Sequence, residues 1–259
     1  MTVNIEEPTF LHRDAKIGKN VTIGRFCTVG PNVVLEDNVT LIANVYLDGH
    51  TTIGNGCVVY PFASIGTACQ DLKFKGERTF VKIGARTVIR ESVTINSATG
   101  EDKSTSIGQD CLIMAYSHVA HNCIVNDHVI MSNVSTLAGH VTIGKHAIIG
   151  GLTAVHQFAR IGKYSIVGGC SKVVKDILPF MMADGHPARI HGLNKIGLKR
   201  HGFSEEVRKE LKKVYKILFR SGLSTKHAVD KISSELHSDI KEIKTLLAFI
   251  GSSERGISK

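Results

Sequence analysis

A period of six constrains this chain more than any other feature. Read from Ala15, the sequence divides into AKIGKN, VTIGRF, CTVGPN, VVLEDN, VTLIAN, VYLDGH, TTIGNG, CVVYPF and ASIGTA. The third place of each hexad is apolar, from Ile17 and Ile23 to Val59 and Ile65. Residues 69–80 break the pattern, and the phase resumes at Ile83, Ile89 and Ile95. Residues 96–104 break it again, and from Ile107 it runs unbroken to Val173. All 24 third places are aliphatic or methionine. An amphipathic helix repeats its apolar stripe every three or four residues and cannot hold such a period. One short strand and one turn per hexad can. Three hexads then close a triangular coil, and coils stack at strand spacing, about 4.8 Å. With both irregular stretches counted in phase, residues 15–176 amount to nine coils of 18 residues.

The first place of the hexad is small or β-branched, as at Ala15, Val21, Cys27 and Val33, and is expected to point inward at a crowded corner. The six cysteines, Cys27, Cys57, Cys69, Cys111, Cys123 and Cys170, form no C-x-x-C pair and read as small buried thiols that follow the repeat. Glycine often follows the third place, as at Gly18, Gly24, Gly30 and Gly54, where a tight corner would call for positive φ. The period does not give the hand of the coil, and the usual crossover rule would favour the right hand.

After Pro179 and Pro187 the period stops. Ser204 reads as a helix N-cap, with Val207, Leu211, Val214, Tyr215, Leu218 and Phe219 on one face. A second helix begins at Ser224 and carries Ala228, Val229, Ile232 and Leu236; a third begins at Ser238 or Asp239. The expected division is a β-helical domain over 1–185, with insertions near 69–80 and 96–104, and a helical domain over 186–259 that covers the open end. Of the net charge of +9, the tail carries +8, from sixteen Lys and Arg against eight Asp and Glu. That favours an acidic partner, but no nucleic-acid module is legible. No run approaches the roughly 20 apolar residues of a membrane span, and no signal peptide is visible, so a cytoplasmic enzyme without stable membrane insertion is expected.

Residues 18 apart stack in such a coil. His121, Gly139 and Gln157 therefore share one column, with His140 one place after it, His156 one place before it, and His118 three before His121. Titratable groups gather on one edge of an apolar prism. A histidine there can act as general base toward a hydroxyl. The alternatives are an accidental cluster on a scaffold and a zinc site, though His118-Val-Ala-His121 lacks the wider spacing of the β-helical zinc hydratases. No nucleophile elbow, P-loop or dinucleotide fingerprint is present, so direct transfer without a covalent acyl-enzyme is the simpler chemistry.

The segments QDLKF, IRESVTI, SHVAHNC, TLAGHVTIG, GGLTAVHQF, VGGCSKVVKD and GLNKIGLKRHGF together resemble the UDP-N-acetylglucosamine O-acyltransferase family over nearly the whole chain. The resemblance implies a left-handed parallel β-helix, a homotrimer with sites between subunits, and no cofactor or metal. It implies transfer of an acyl chain, usually 3-hydroxylated, from acyl carrier protein to the glucosamine 3-hydroxyl of UDP-N-acetylglucosamine. By motif, His121 would be the general base and the Gly139 N–H an oxyanion donor. His118, His140, His156 and Gln157 would line the site. Gln70, Asp71 and Lys73 would hold the acceptor sugar, Asn194 and Arg200 would reach the uridine diphosphate, and Gly169 would set acyl length. Three places depart from the family pattern: Asn122 stands where Asp usually follows the base, Ile196 replaces a glutamate, and His201 replaces a second arginine. The nearest rival is an N-acyltransferase for a 3-amino sugar nucleotide; the related enzyme with an N-terminal uridine-binding domain is disfavoured because hexads begin by residue 15.

Overall fold

The computed structural model describes residues 3–235 and 240–259. Short strands, mostly two residues long, form three parallel sheets, and each strand pairs with the one a coil away. We call the sheets face A, which starts at Asn4–Ile5, face B, which starts at Phe10–Leu11, and face C, which starts at Lys16–Ile17. The chain visits them in the order A, B, C, so the corners are AB, BC and CA. Every third-place residue from Ile23 to Val173 is buried in one continuous core. Strands Asn4–Ile5 and Phe10–Leu11 precede Ala15, so the β-helix begins earlier than the hexads reveal.

The irregular stretches leave the coil differently from expectation. On face C, Ile53 pairs with Ile83, thirty residues on, and Ile83 with Ile107, twenty-four on. Against a coil of eighteen the insertions add twelve residues and six, which together equal one coil. Face C accordingly has eight strands, and residues 15–176 hold eight coils rather than nine. Both insertions leave face B and return on face C, after Ser64–Thr67 and after Thr94–Asn96, so both project from the BC corner.

Glycine serves another purpose than the one expected. Positive φ falls mainly on the sixth place of the hexad, on residues such as Asn38, Phe62, His140 and Phe158. The glycines after the third place are needed for close stacking: a Cβ on Gly54 would lie 2.7 Å from the Ala85 nitrogen of the next coil. Cys170 is also a correction. Five cysteines are buried, but Cys170 occupies a sixth place with φ 59° and is exposed.

Strands Met181–Gly185 and Ala188–Leu193 end face A as an antiparallel hairpin, so the sheet runs past residue 185. Four helices follow: α1 (Lys195–Arg200), α2 (Glu205–Arg220), α3 (Thr225–Glu235) and α4 (Lys241–Gly251). Ser204 caps α2 through Val207 N, and Ser224 Oγ accepts from His227 N at the start of α3, as the sequence suggests. Leu236, Ser238 and Asp239 lie outside the described residues. The C-terminus returns to the last coil: Ile257 bridges Asp176, whose buried carboxylate takes Arg160 at 2.8 Å and Ser253 at 2.8 Å. This strap covers backbone edges that would otherwise be open.

Candidate functional site

The BC corner is built from consecutive coils, and the stacking predicted from spacing of 18 is real. His140 N donates to His121 O at 3.0 Å, and Phe158 N to Gly139 O at 3.1 Å. His121 is nearly buried at 8% exposure. Its ring lies directly against Gly139 of the next coil, where a Cβ would run into the ring carbons and Nε2. Gly139 is therefore glycine because the imidazole occupies the side chain's space.

The two ring nitrogens of His121 face different partners. Nδ1 lies 2.9 Å from Asn122 Oδ1. The Asn122 amide is itself held by the second insertion: Oδ1 accepts from Thr99 N at 3.0 Å, and Nδ2 donates to Thr99 O at 3.0 Å. An amide oxygen only accepts, so Nδ1 carries the proton and Nε2 holds the lone pair. Nε2 is directed at the first insertion, 4.0 Å from Asp71 Oδ2. Asp71 is fixed by its own turn: Oδ1 accepts from Lys73 N at 2.9 Å, and its carbonyl from Phe74 N at 2.9 Å. The bases of the insertions are stitched by Asn96, whose Nδ2 donates to Thr67 Oγ1 and Ala68 O.

The other histidines surround the base. His140 meets His121 edge-on at 5.2 Å and stacks on Phe158 at 4.8 Å. Burial and the neighbouring His121 hold the His140 pKa below the usual value, with Asp71 opposing them. Burial, then His121, likewise lowers His118, whose Nδ1 lies 2.7 Å from Thr94 Oγ1. Low pKa values keep these rings neutral around the base. His156 Nδ1 donates to the Gln157 carbonyl at 3.0 Å, beside the same corner. Gln70, Lys73 and Leu72 are exposed on the first insertion, Leu72 completely. Among the described residues no three His, Cys, Asp or Glu side chains are grouped to hold a metal ion.

The remaining expected residues stand elsewhere on the prism. Asn194 and Arg200 border a groove of about 590 Å³ between face A, at Ile148, Ile166 and Met182, and the tail. Asn194 caps α1 through Gly197 N at 3.0 Å and reaches Tyr164 O at 3.0 Å, so both ends of its amide are already bonded. Face A is the face opposite the BC corner, so one chain does not join these residues to His121. Gly169 lies at the third corner, AB. Its φ is not positive, and a Cβ there would meet only Gly151, 3.2 Å from its carbonyl oxygen. Glu91, Ala115 and Asn133 take the equivalent place in earlier coils, so the corner itself does not require glycine.

Sequence reasoning missed Phe158, although it follows His140 by 18 and the column rule could have found it. It also missed Thr94 and Thr99. Thr99 belongs to an insertion outside the repeat, where no spacing signal exists. Of the three departures, Ile196 is exposed beside the groove, and His201 packs on His146 at 4.5 Å and Tyr164 at 5.1 Å.

Comparison with known proteins agrees along the whole chain. The family profile described as UDP N-acetylglucosamine O-acyltransferase, domain 2, matches residues 176–258, and hexapeptide-repeat profiles match 15–48 and 104–139. An acyl-[acyl-carrier-protein]–UDP-N-acetylglucosamine O-acyltransferase of Thermodesulfovibrio yellowstonii is 48% identical over 256 residues, 98% of this chain and 99% of its own. The crystal structure of UDP-N-acetylglucosamine O-acyltransferase from Moraxella catarrhalis superimposes with TM-score 0.95 at 41% identity, covering 98% of this chain and 99% of that one. A UDP-N-acetylglucosamine acyltransferase from Bacteroides fragilis gives TM-score 0.95 at 39% identity with the same coverage. The coil shares their left hand.

Proposed function

This chain belongs to the UDP-N-acetylglucosamine O-acyltransferase family, and from that premise we propose that His121 is the general base of its acyl transfer. The reaction moves an acyl chain from acyl carrier protein to the glucosamine 3-hydroxyl of UDP-N-acetylglucosamine, the first step of lipid A biosynthesis. The observation that carries the base assignment is the His121 tautomer, with Nδ1–H on Asn122 and the Nε2 lone pair turned toward Asp71 of the first insertion. Nε2 takes the proton of the 3-hydroxyl while its oxygen attacks the thioester carbon. The C–O bond forms, the C–S bond breaks, and the imidazolium returns the proton to the leaving thiolate. The Gly139 N–H donates to the oxyanion between these steps. Asp71 accepts from a second sugar hydroxyl, with Gln70 and Lys73 beside it, and His118, His140, His156 and Gln157 wall the cleft. Arg200 and the Asn194 turn bind the diphosphate, and Gly169 leaves the acyl groove open for a long chain. The basic helix α2 receives the acidic carrier protein. The reaction needs no cofactor, and its carrier protein makes the cytoplasm its compartment.

The working unit is a homotrimer. Opposite sides of one prism cannot form one cleft, so a neighbour supplies the second wall. The AB corner offers the axis: Phe26, Phe62, Tyr116, Val134 and Leu152 are exposed along it, interrupted by Asn44 and Ser92, with Phe62 at 64% exposure. With that ridge on a threefold axis, face B of one chain meets face A of the next. His121 of one subunit then faces Asn194 and Arg200 of its neighbour. Mixing tests both ideas. His121→Ala and Arg200→Ala proteins, each deficient alone, should regain activity when unfolded and refolded together, because some sites then pair two intact walls. No recovery, or sedimentation of an active monomer, would remove the shared site. A mass-spectrometric assay with the 3-hydroxy and 3-amino acceptors checks the acceptor atom; product from the amine alone would overturn the O-acyl reading.

A further inference from the structure

We propose that the second insertion is a positioning element for the base, and that the Thr99 peptide dictates an amide at residue 122. This rests on the reading of His121 as the base. Asn122 sits at φ 59°, and three bonds tie it to the insertion and the strand leaving it. Its N–H donates to Thr105 Oγ1 at 2.9 Å, and its side chain exchanges two hydrogen bonds with the Thr99 peptide, 3.0 Å each. That exchange decides which way the amide points. A flipped amide would set NH2 against N–H and oxygen against carbonyl, leaving four groups unmatched in a half-buried place. With the amide fixed, its oxygen faces His121 Nδ1 and admits only the Nδ1–H tautomer. The insertion thus delivers the lone pair to Nε2 without touching substrate.

An aspartate at 122 would be isosteric but mismatched. One oxygen could still accept from Thr99 N and His121 Nδ1; the other would oppose the Thr99 carbonyl. An ionised carboxylate beside the ring would also favour imidazolium, so the base would be protonated at a higher pH. The other charged or titratable groups facing His121 are Asp71 on the Nε2 side and the His118 and His140 rings, and none of them changes in the variant.

The test compares Asn122→Asp, Asn122→Ala and Thr99→Pro, which removes the N–H, with wild type and His121→Ala. Rates are measured across pH with acyl carrier protein thioester and UDP-N-acetylglucosamine, and His tautomers are read from ¹⁵N imidazole shifts. Asn122→Ala and Thr99→Pro should each lower kcat about tenfold or more, with KM for the sugar nucleotide within about twofold and loss of the Nδ1–H signature. Combined, they should cost little more than either alone, because they break one linkage. Asn122→Asp should move the acid limb of the rate profile upward by about one pH unit. Normal kcat in Asn122→Ala, or a wild-type acid limb in Asn122→Asp, overturns the positioning proposal. If His121→Ala is itself active, the base assignment has failed instead. Should Thr99→Pro not fold, the two Asn122 variants decide the matter alone.

Discussion

The same hexads build two histidine ladders, and only one of them is arranged for chemistry. At the CA corner, His128 stacks on His146 at 4.5 Å, His146 on Tyr164 at 4.8 Å, and Tyr164 on Phe180 at 6.1 Å. His201 and Phe203 from the tail pack against that column. At the BC corner, His121 and His140 meet edge to face. The difference lies in what interrupts the stack. The BC column places Gly139 above His121, and both insertions enter beside it. The equivalent CA place holds Lys145 above Asp127, joined at 3.6 Å. Rings stacked on rings give adhesion and dock the tail. A ring under a glycine, with an acid before one nitrogen and an amide behind the other, keeps a usable lone pair. Repetition thus supplies equivalent stations, and insertions make one of them unique.

If that contrast is right, removing a ring from each ladder has opposite consequences. His121→Ala should cost ~10²–10⁴ in turnover with little change in melting temperature. His128→Ala should leave turnover near normal. Comparable activity in both variants, measured by product formation under saturation, would erase the distinction.

Gly139→Ala probes the gap itself. The new methyl would displace the imidazole, so kcat should fall ~10²-fold, while Lys145→Ala at the equivalent CA place stays near wild type. A normal rate in Gly139→Ala would mean that the ring has room to move.

The third corner makes a comparison of its own. Gly169→Met should shift preference toward shorter acyl donors. Each buried methylene is worth about 0.8 kcal/mol, so a four-carbon difference is worth ~3 kcal/mol, or over a hundredfold in relative kcat/KM. Equal loss with every donor would leave Gly169 a backbone residue.

Smaller effects are expected in the tail. Lys209 pairs with exposed Glu205 at 2.8 Å, and Lys212 lies on the groove. Reversing both should raise KM for acyl carrier protein several-fold and flatten its salt dependence. Lys213 is a poorer probe, because its partner Glu210 is buried and reversal would set two acids together. Salt-independent, unchanged kinetics would return α2 to an ordinary solvated face.

The smallest effect concerns pH. Burial, then His201 and His128, pushes His146 down to about 4. Its neutral form is favoured in the folded state, so the stability it contributes is whole above the unfolded value of about 6.5 and declines as pH falls toward 4. His146→Phe keeps a ring and removes this titration. Its melting temperature should fall less than wild type between pH 7 and 4.5, by a few degrees. Parallel curves would show that other groups govern acid sensitivity.

The coil is written in the sequence. Twenty-four apolar third places fix which side chains point inward, and spacing of 18 fixes which residues stack, so the column of His121, Gly139 and Gln157 is legible from spacing alone. Periodic constraints are local and repeat, which is why they can be read. The repeat alone overstates the number of coils, because insertions in phase look like a coil until pairing joins Ile53 to Ile83. The exposed Cys170 and the use of positive φ by large residues were also hidden, since they depend on corner geometry. The neighbours across insertions and across the prism follow from the three-dimensional fold and from nothing in the repeat. Thr99 meets Asn122, Asp71 meets His121, and Arg200 lies on the opposite side. None of these pairs follows the repeat; each depends on where an irregular segment lands against the regular coil.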